Sequence, residues 1–313
     1  MIPPGKSGNV LATIAIGEQY LQPFMKYAYH TWEMYCRRHD LGLILFDEDL
    51  ISPDHPKWKK ANWQKYLIPS AIVDAGLTVN NVCHMDTDIL ISPLAPNIFD
   101  SYDNKKIGLI SLRTGLPYPH LELCRRLAFA RNRHYSSEYP LDSSLFITLN
   151  DIYALIGVSQ QKDYACSGVF VFNLKEQRSF FRDFFFNFDS SVLSPTSGGD
   201  QTHFNYLVQS NDLQQWLDYR FQALWTYEIA WKYPFLYSKY RDDHSIIREC
   251  IEASLFSNYF LHFAGSWYES EMWEQVKVLD TPESLAMFDA FNDYLKMPVT
   301  GKPKGAIKPK ENS

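Results

Sequence analysis

The sequence predicts an α/β protein built on a mostly parallel central sheet with helices on both faces. Short apolar runs alternate with segments of helical spacing, which is typical of such a sheet. The chain has 313 residues, of which 46% are apolar and 21% are charged, so it can fold around a large core. Its formal net charge of −6 argues against a general nucleic-acid binder, which needs a basic face.

Six apolar runs are interpreted as strands, because each is short and rich in β-branched or aromatic residues. They span residues 9–16, 41–46, 82–85, 107–111, 167–172 and 259–263. Helices are predicted over residues 22–38, 62–75, 175–188 and 200–208. Asn62 is a plausible N-cap for the second of these helices, Pro69 is expected to kink it, and Gly76 to end it.

The predicted organisation is a single domain over residues 9–296, with a flexible lead-in at 1–8 and a disordered tail at 297–313. Residues 113–162 are rich in arginine and are expected to form a helical insertion between core strands. A solvated helix face is the alternative explanation for that charge.

The expected compartment is the cytoplasm, and peripheral contact with a membrane is left open. The five cysteines are odd in number and contain no Cys-x-x-Cys pair, which argues against a zinc site and a disulfide framework. No apolar run approaches the roughly 18–20 residues that span a bilayer. The first residues, MIPPGKSGN, lack the charged and apolar regions of a signal peptide.

The most informative motif is a pair of acids, Asp86 and Asp88, between the apolar runs VCHM and ILI. In an extended segment, residues i and i+2 point to the same side, so both carboxylates can converge on one cation at a strand end. Oxygen ligands of this kind suit Mg²⁺ or Mn²⁺. The alternative, a solvated turn or a helix cap, fits poorly between two apolar runs.

Three further clusters carry polar residues beside predicted strands or helix starts. Asp163 precedes the small residues that lead into the strand at 167–172, where a strand with a tight entry is the alternative. Asp200 follows two glycines at a helix start, where an N-cap is the common use of Asp. His262 follows an apolar run and would complete an Asp/Asp/His metal set, although it could equally be a core residue.

The order of these pieces resembles nucleotide-diphospho-sugar transferases of the GT-A fold, and most of all the glycogenin-like glycosyltransferase family 8. The matching segments are residues 12–20, Lys65, Asp86 with Asp88, 166–172, 199–201 and 262–265. Family 34 transferases are similar in part. Two positions depart from the family 8 pattern, because Cys166 replaces an Asn and Tyr268 replaces a Lys.

The resemblance implies a metal-dependent transferase that moves a sugar from a nucleotide-diphosphate donor, with UDP favoured, to a saccharide or glycoconjugate acceptor. The insertion at residues 113–162 is then the expected acceptor region. The resemblance also implies that Mn²⁺ or Mg²⁺ is held by Asp86, Asp88 and His262. It implies a catalytic set of Asp163, Asp200 and Gln201. It implies that the donor is bound by Ile16, Gly17, Tyr20, Lys65, Asp86, Thr87, Ser167, Gly168 and Gly265. Within family 8 the sugar keeps its anomeric configuration.

Two other functions remain open at the level of sequence. A metal-dependent phosphohydrolase also places Asp-x-Asp after a strand, but the Ile89-Leu90 that follows here is not the Thr expected there. A catalytically inactive sugar-nucleotide-binding or scaffold protein is compatible with the departures at Cys166 and Tyr268.

Overall fold

The structure is a computed structural model that describes residues 2–134, 146–188, 199–265 and 267–297. Its strands are β1 Val10–Ile14, β2 Gly42–Phe46, β3 Asn81–Met85, β4 Ile89–Ile91, β5 Ile107–Ser111, β6 Ala165–Asn173, β7 Gln214–Trp216, β8 Ala223–Leu224 and β9 Phe260–His262. All six predicted strands are present, and each predicted end lies within two residues of the observed end.

The main sheet has the strand order β2-β1-β3-β6-β5-β7. Strands β2, β1 and β3 are parallel, β6 is antiparallel to both β3 and β5, and β7 is parallel to β5. Five strands therefore share one direction and β6 opposes them. The predicted α/β class with a mostly parallel central sheet is confirmed.

A second, smaller sheet has the order β4-β9-β8. The chain leaves β3 of the main sheet, passes through residues 86–88 and enters β4 of this second sheet. Strand β4 is antiparallel to β9, with Ile89 opposite His262. This pairing brings the start of β4 beside a residue that lies more than 170 positions later in the sequence.

The helices are α1 Glu18–Pro23, α2 Tyr29–His39, α3 Ala61–Gln64, α4 Ile68–Asp74, α5 His120–His134, α6 Leu149–Ala154, α7 Leu174–Asn187, α8 Gln201–Ser210, α9 Trp225–Lys232, α10 His244–Ser257 and α11 Pro282–Lys296. A π-helical turn, Phe24–Ala28, joins α1 to α2. A 3-10 turn, Lys65–Leu67, separates α3 from α4 just before Pro69. The expected interruption near this proline is therefore present, but Lys60 rather than Asn62 occupies the N-cap position.

Both faces of the main sheet are covered by apolar side chains, as the continuous hydrophobic runs of its strands predict. Val10 and Val82 pack with the helices on one face, whereas Leu11 and Cys83 pack on the other face beside the second sheet. Trp225 is fully buried on this second face, and its ring is tilted against Phe263 with the ring centres 5.4 Å apart. It is therefore part of the core.

The N-terminal residues pack against the main sheet, whereas the C-terminal end is described only as far as residue 297. Ile2 forms a backbone bridge with Leu43 of β2, and Lys6 N–H donates to Asp40, although a flexible lead-in is expected there from the sequence. Helices α5 and α6 lie within the predicted insertion, while its residues 135–145 lie outside the described residues. Residues 298–313 of the predicted tail also lie outside them. None of the described helices is long and apolar enough to cross a membrane.

Candidate functional site

Asp86 and Asp88 occupy the short connection between the two sheets. The backbone N–H of Asp86 donates to Gly168 O on β6 at 2.8 Å, and the carbonyl of Asp88 accepts from Phe263 N at 3.0 Å. The connection is thus held by main-chain hydrogen bonds to both sheets. These bonds fix the direction in which the two carboxylates leave the backbone.

His262, at the end of β9, completes the group. Its Nε2 lies 3.2 Å from Asp88 Oδ1 and 3.9 Å from Asp86 Oδ2. One ligand atom from each of the three residues lies within 4.8 Å of the others, a spacing that one metal ion can bridge. Two carboxylates and one imidazole are a donor set that suits Mn²⁺ or Mg²⁺, and the residues present therefore fit the implied cation.

Gly168 allows this close approach. A Cβ atom at this position would lie 2.3 Å from His262 Cε1 and 2.8 Å from Asp86 Oδ2, far inside van der Waals contact. The predicted donor-binding role of Gly168 stays a prediction. What the geometry gives it is a steric role, because any side chain here would displace two members of the group.

The surroundings of Asp86 and His262 favour the charged forms of these two side chains. Burial by itself would raise the pKa of Asp86, but the hydrogen bond from His84 at 3.3 Å and the charge of Lys65 hold it well below its ordinary value. Burial by itself would lower the pKa of His262, yet the nearby charge of Asp88 raises it well above its ordinary value. Both shifts arise because oppositely charged groups face each other at one point.

A second polar group, between α3 and α8, is centred on a buried ion pair. Lys65 Nζ lies 2.8 Å from Asp200 Oδ2, and the two side chains are only 5% and 3% exposed. Lys65 also donates to Ser167 Oγ at 2.8 Å. Burial by itself would lower the pKa of Lys65, but the charges of Asp200 and Asp86 outweigh it and raise that pKa.

Besides forming the ion pair, Asp200 accepts hydrogen bonds from neighbouring side chains. Tyr66 OH donates to its Oδ2 at 2.8 Å, and Asn62 Nδ2 donates to its Oδ1 at 3.3 Å. Asp200 occupies the N-cap position of α8, as the alternative interpretation of the sequence has it, but its side chain makes no capping hydrogen bond to the helix. The neighbouring Gln201 accepts a hydrogen bond from Ser167 N at 3.1 Å, which ties the start of α8 to β6.

Asp163 belongs to a different hydrogen-bonded group. Its Oδ1 accepts from Ser111 Oγ at 2.8 Å and from Tyr164 N at 2.7 Å, and its Oδ2 accepts from Thr114 Oγ1. These bonds join the end of β5 to the start of β6. The catalytic role expected for Asp163 stays a prediction, and its observed contacts are those of a residue that orders a strand entry.

A pocket of about 620 Å³ opens beside the Asp86 and Asp88 side chains, a size suited to a drug-sized organic ligand. Seven of the predicted site residues line it: Ile16, Tyr20, Lys65, Asp86, Thr87, Asp88 and Gly265. Gly17 occupies the N-cap position of α1, three residues before Tyr20. Its φ is +94°, where a side chain would be strained. Ser167 and Gly168 contact the lining residues Lys65 and Asp86 from behind.

Several residues at this pocket are missed by the sequence analysis. His84, which lines the pocket and contacts Asp86, lies at i−2 from that acid, so strand alternation could have found it. Glu271 and Glu274 also line the pocket, on the 3-10 segment Tyr268–Glu274. Tyr268 of this segment, which stands where the family 8 pattern has a Lys, donates its OH to Asp242 Oδ1 at 2.6 Å. Gln222, which contacts His262, lies in no motif that would single it out.

Several solved glycosyltransferases are similar in structure to this chain at low sequence identity. A glycosyltransferase involved in the glycosylation of the major capsid of PBCV-1 is 9% identical, and 86% of this chain aligns with 99% of that chain at a TM-score of 0.49. The galactosyltransferase LgtC, in complex with donor and acceptor sugar analogues, is 12% identical, with 93% and 97% of the two chains aligned at a TM-score of 0.43.

The glycosyltransferase GlyE of Streptococcus pneumoniae TIGR4 is 13% identical, and 94% of this chain aligns with 66% of GlyE at a TM-score of 0.45. No protein-family model matches the sequence, and no curated protein matches it.

Proposed function

We propose that this protein is a metal-dependent glycosyltransferase that moves a sugar from a nucleoside-diphosphate donor to a saccharide or glycoconjugate acceptor. One observation carries the proposal: the side chains of Asp86, Asp88 and His262 converge on one point at the edge of a pocket large enough for such a donor. The buried Lys65 lines the same pocket and supplies a second positive charge for phosphate oxygens.

In this proposal Asp86, Asp88 and His262 hold Mn²⁺ or Mg²⁺. The cation would neutralise the negative charge that develops on the diphosphate as the bond to the sugar breaks. Two ionised carboxylates and one imidazole leave part of the cation's coordination shell for phosphate oxygens, which is how Mg²⁺ sites on substrates are commonly arranged.

The remaining residues of the pocket bind and orient the donor. Tyr20 is 53% exposed at the pocket wall, so its ring is free to stack on the base, while Ile16 supplies an apolar contact. Thr87 and Gly265, which line the same pocket, would contact the ribose and the diphosphate. A uridine base and retention of anomeric configuration are included in the proposal because the sequence resembles family 8.

Asp200 and Gln201 are proposed to act on the sugar. Asp200 keeps its charge through the ion pair with Lys65, and it would accept hydrogen bonds from the sugar hydroxyls. The acceptor oxygen forms a bond to the anomeric carbon while the bond to the diphosphate breaks. The acceptor's proton passes to the departing phosphate oxygen, so this route requires no protein base.

The acceptor is proposed to bind near the arginine-rich residues of the insertion. Helix α5 carries the exposed Arg125, Arg126 and Arg133, and these charges favour a phosphorylated or acidic glycoconjugate. The Arg126 guanidinium lies 4.1 Å from the centre of the Trp231 ring, so part of this aromatic surface is already covered.

The test is to mix the protein with Mn²⁺ and a panel of sugar nucleotides and to measure binding by thermal shift and turnover by release of nucleoside diphosphate. One donor should bind in a metal-dependent manner and be hydrolysed slowly, and Asp88→Asn should remove both effects. Asp74→Asn, a surface change, is the matched control. Turnover of simple phosphate esters would instead indicate a phosphohydrolase, and donor binding without turnover would indicate an inactive binding protein.

A further inference from the structure

Gln222 contacts the ring nitrogen of His262 that faces away from the acids. The Gln222 side-chain amide lies 3.1 Å from His262 Nδ1, and both residues are almost completely buried. The opposite ring nitrogen, Nε2, is the atom that faces Asp86 and Asp88. The amide and the two carboxylates therefore face opposite nitrogens of one imidazole, and the Cys166 thiol is a further hydrogen-bond partner of the ring.

The backbone around Gln222 holds this contact in place. Gln222 ends a 3-10 turn, Tyr219–Gln222, that Asp218 caps by accepting a hydrogen bond from Arg220 N. It leads directly into β8, which pairs in parallel with β9 and sets Leu224 beside His262. A Cβ atom at Gly168 would lie 3.0 Å from the Gln222 amide nitrogen, so Gly168 leaves room for the amide and for the imidazole alike.

The orientation of the amide decides which nitrogen of His262 carries the proton. An amide NH₂ that donates to Nδ1 requires a bare Nδ1, which places the ring proton on Nε2 and prevents Nε2 from binding a metal ion. With the amide rotated by half a turn, Gln222 Oε1 accepts from Nδ1–H and leaves the lone pair of Nε2 free. Amide oxygen and nitrogen are assigned from the hydrogen-bond network, so the two orientations share one side-chain position.

The surroundings of Gln222 favour the second orientation. With the NH₂ group toward His262, Gln222 Oε1 is buried and accepts no hydrogen bond from the residues that the structure describes. A buried acceptor without a donor is costly, and rotation removes that cost by turning the oxygen toward Nδ1–H. Metal-binding histidines commonly donate their second ring N–H to such an oxygen.

We infer that Gln222 is a positioning residue that fixes His262 in the tautomer with the proton on Nδ1, so that Nε2 binds the cation. This inference rests on the metal site of the proposed function. It predicts that the carbonyl oxygen at position 222, rather than the amide nitrogen, is the atom the site requires.

The experiment compares two variants of the full-length protein by their affinity for Mn²⁺. Gln222→Leu removes the acceptor and should weaken Mn²⁺ binding by about 10- to 100-fold. Gln222→Glu keeps an acceptor and lacks a donor, so it should bind Mn²⁺ at least as tightly as the wild type. Gln177→Leu is the matched control, because Gln177 is also a buried glutamine but contacts Asn173 and Asn104 at the far end of β6.

A second readout reports the tautomer without activity or manganese. In the Mg²⁺-loaded protein labelled with ¹⁵N-histidine, the His262 signals, assigned by their loss in His262→Gln, should show a protonated Nδ1 and an unprotonated Nε2. Gln222→Glu should keep this pattern, and Gln222→Leu should lose it.

The outcomes separate this inference from the proposed function. If the wild type binds Mn²⁺ and Gln222→Leu binds it equally well, or if Gln222→Glu is as impaired as Gln222→Leu, Gln222 does not act through an accepted hydrogen bond. If the wild type binds no divalent cation, the metal site itself is wrong.

Discussion

Lys65 Nζ lies 2.8 Å from Asp200 Oδ2 in a region where both side chains are almost completely buried. The pair connects the turn between α3 and α4 to the start of α8, and Ser167 of β6 joins it through its hydroxyl. Three separate parts of the chain thus meet at one pair of charges. Neither charge could remain in this position without the other, because an isolated buried ion is strongly disfavoured.

Removing one partner of this pair should therefore destabilise the protein. Lys65→Met leaves the Asp200 carboxylate buried and should lower the free energy of unfolding by about 3–5 kcal/mol, measured by chemical denaturation. The double variant Lys65→Met/Asp200→Leu should recover a large part of that loss. Arg37→Met, which breaks the exposed pair with Glu33, should cost about 0–1 kcal/mol. Equal losses for the two single variants would contradict the importance of burial.

Asp200 is also expected to be needed for sugar transfer but not for nucleotide binding. Asp200→Asn keeps the shape of the side chain and removes its charge, and it should lower the turnover number on the order of 100-fold. The affinity for the nucleoside diphosphate, measured by calorimetry, should stay close to that of the wild type, because Asp200 lies at the sugar end of the proposed site. Near-normal turnover in a folded Asp200→Asn protein would remove Asp200 from the catalytic set.

Gly168→Ala should disable the metal group through steric displacement. The added Cβ would meet His262 Cε1 and Asp86 Oδ2, so Mn²⁺ affinity should fall at least about 10-fold, as for other changes that disturb ligand orientation. Gly108→Ala, on β5 of the same sheet, is the control, since the Cβ of that variant would lie 2.8 Å from Leu217 Cδ1. That variant should lose about 1–3 kcal/mol of stability with unchanged Mn²⁺ affinity. Unchanged affinity in Gly168→Ala would contradict the proposed geometry.

Tyr20→Ala should weaken nucleotide binding without a matching loss of stability. Stacking of a base on an aromatic ring contributes about 1–3 kcal/mol, which corresponds to a loss of affinity of roughly 5- to 150-fold. Tyr294→Ala on α11, where the residue is 67% exposed, is the control and should not change affinity. The measurement is a calorimetric titration with nucleoside diphosphate and Mg²⁺. Equal affinities for the two variants would exclude Tyr20 from the base pocket.

Much of the fold can be read from the sequence because the strands of the main sheet are buried on both faces and appear as continuous apolar runs. The period of two within a strand also predicts that Asp86 and Asp88 lie on one side. The direction of β6 is not encoded in this way, because an apolar run reads the same whether its strand is parallel or antiparallel. The short strand β8 contains only two residues, which is too few for any periodic signal.

The site is predicted less completely than the fold. Motif residues such as Lys65, Asp86 and His262 do gather near one pocket, as the resemblance implies. Asp163 shows the limit of motif reasoning, because its position in the sequence does not reveal that Ser111, Thr114 and Tyr164 satisfy its oxygens. Gln222 shows the opposite limit, since its contact with His262 depends on the pairing of two distant strands.

The proposed cation site lies at the boundary between the two sheets. Asp86 follows the last residue of β3 in the main sheet, whereas Asp88 directly precedes β4 and His262 ends β9 in the smaller sheet. An ion bound by all three residues would connect the two sheets at this boundary. Amide protons of β4 and β9 should then exchange with solvent more slowly once the ion is bound, while those of distant β7 keep their rates. Backbone hydrogen exchange would thus report whether the site holds an ion.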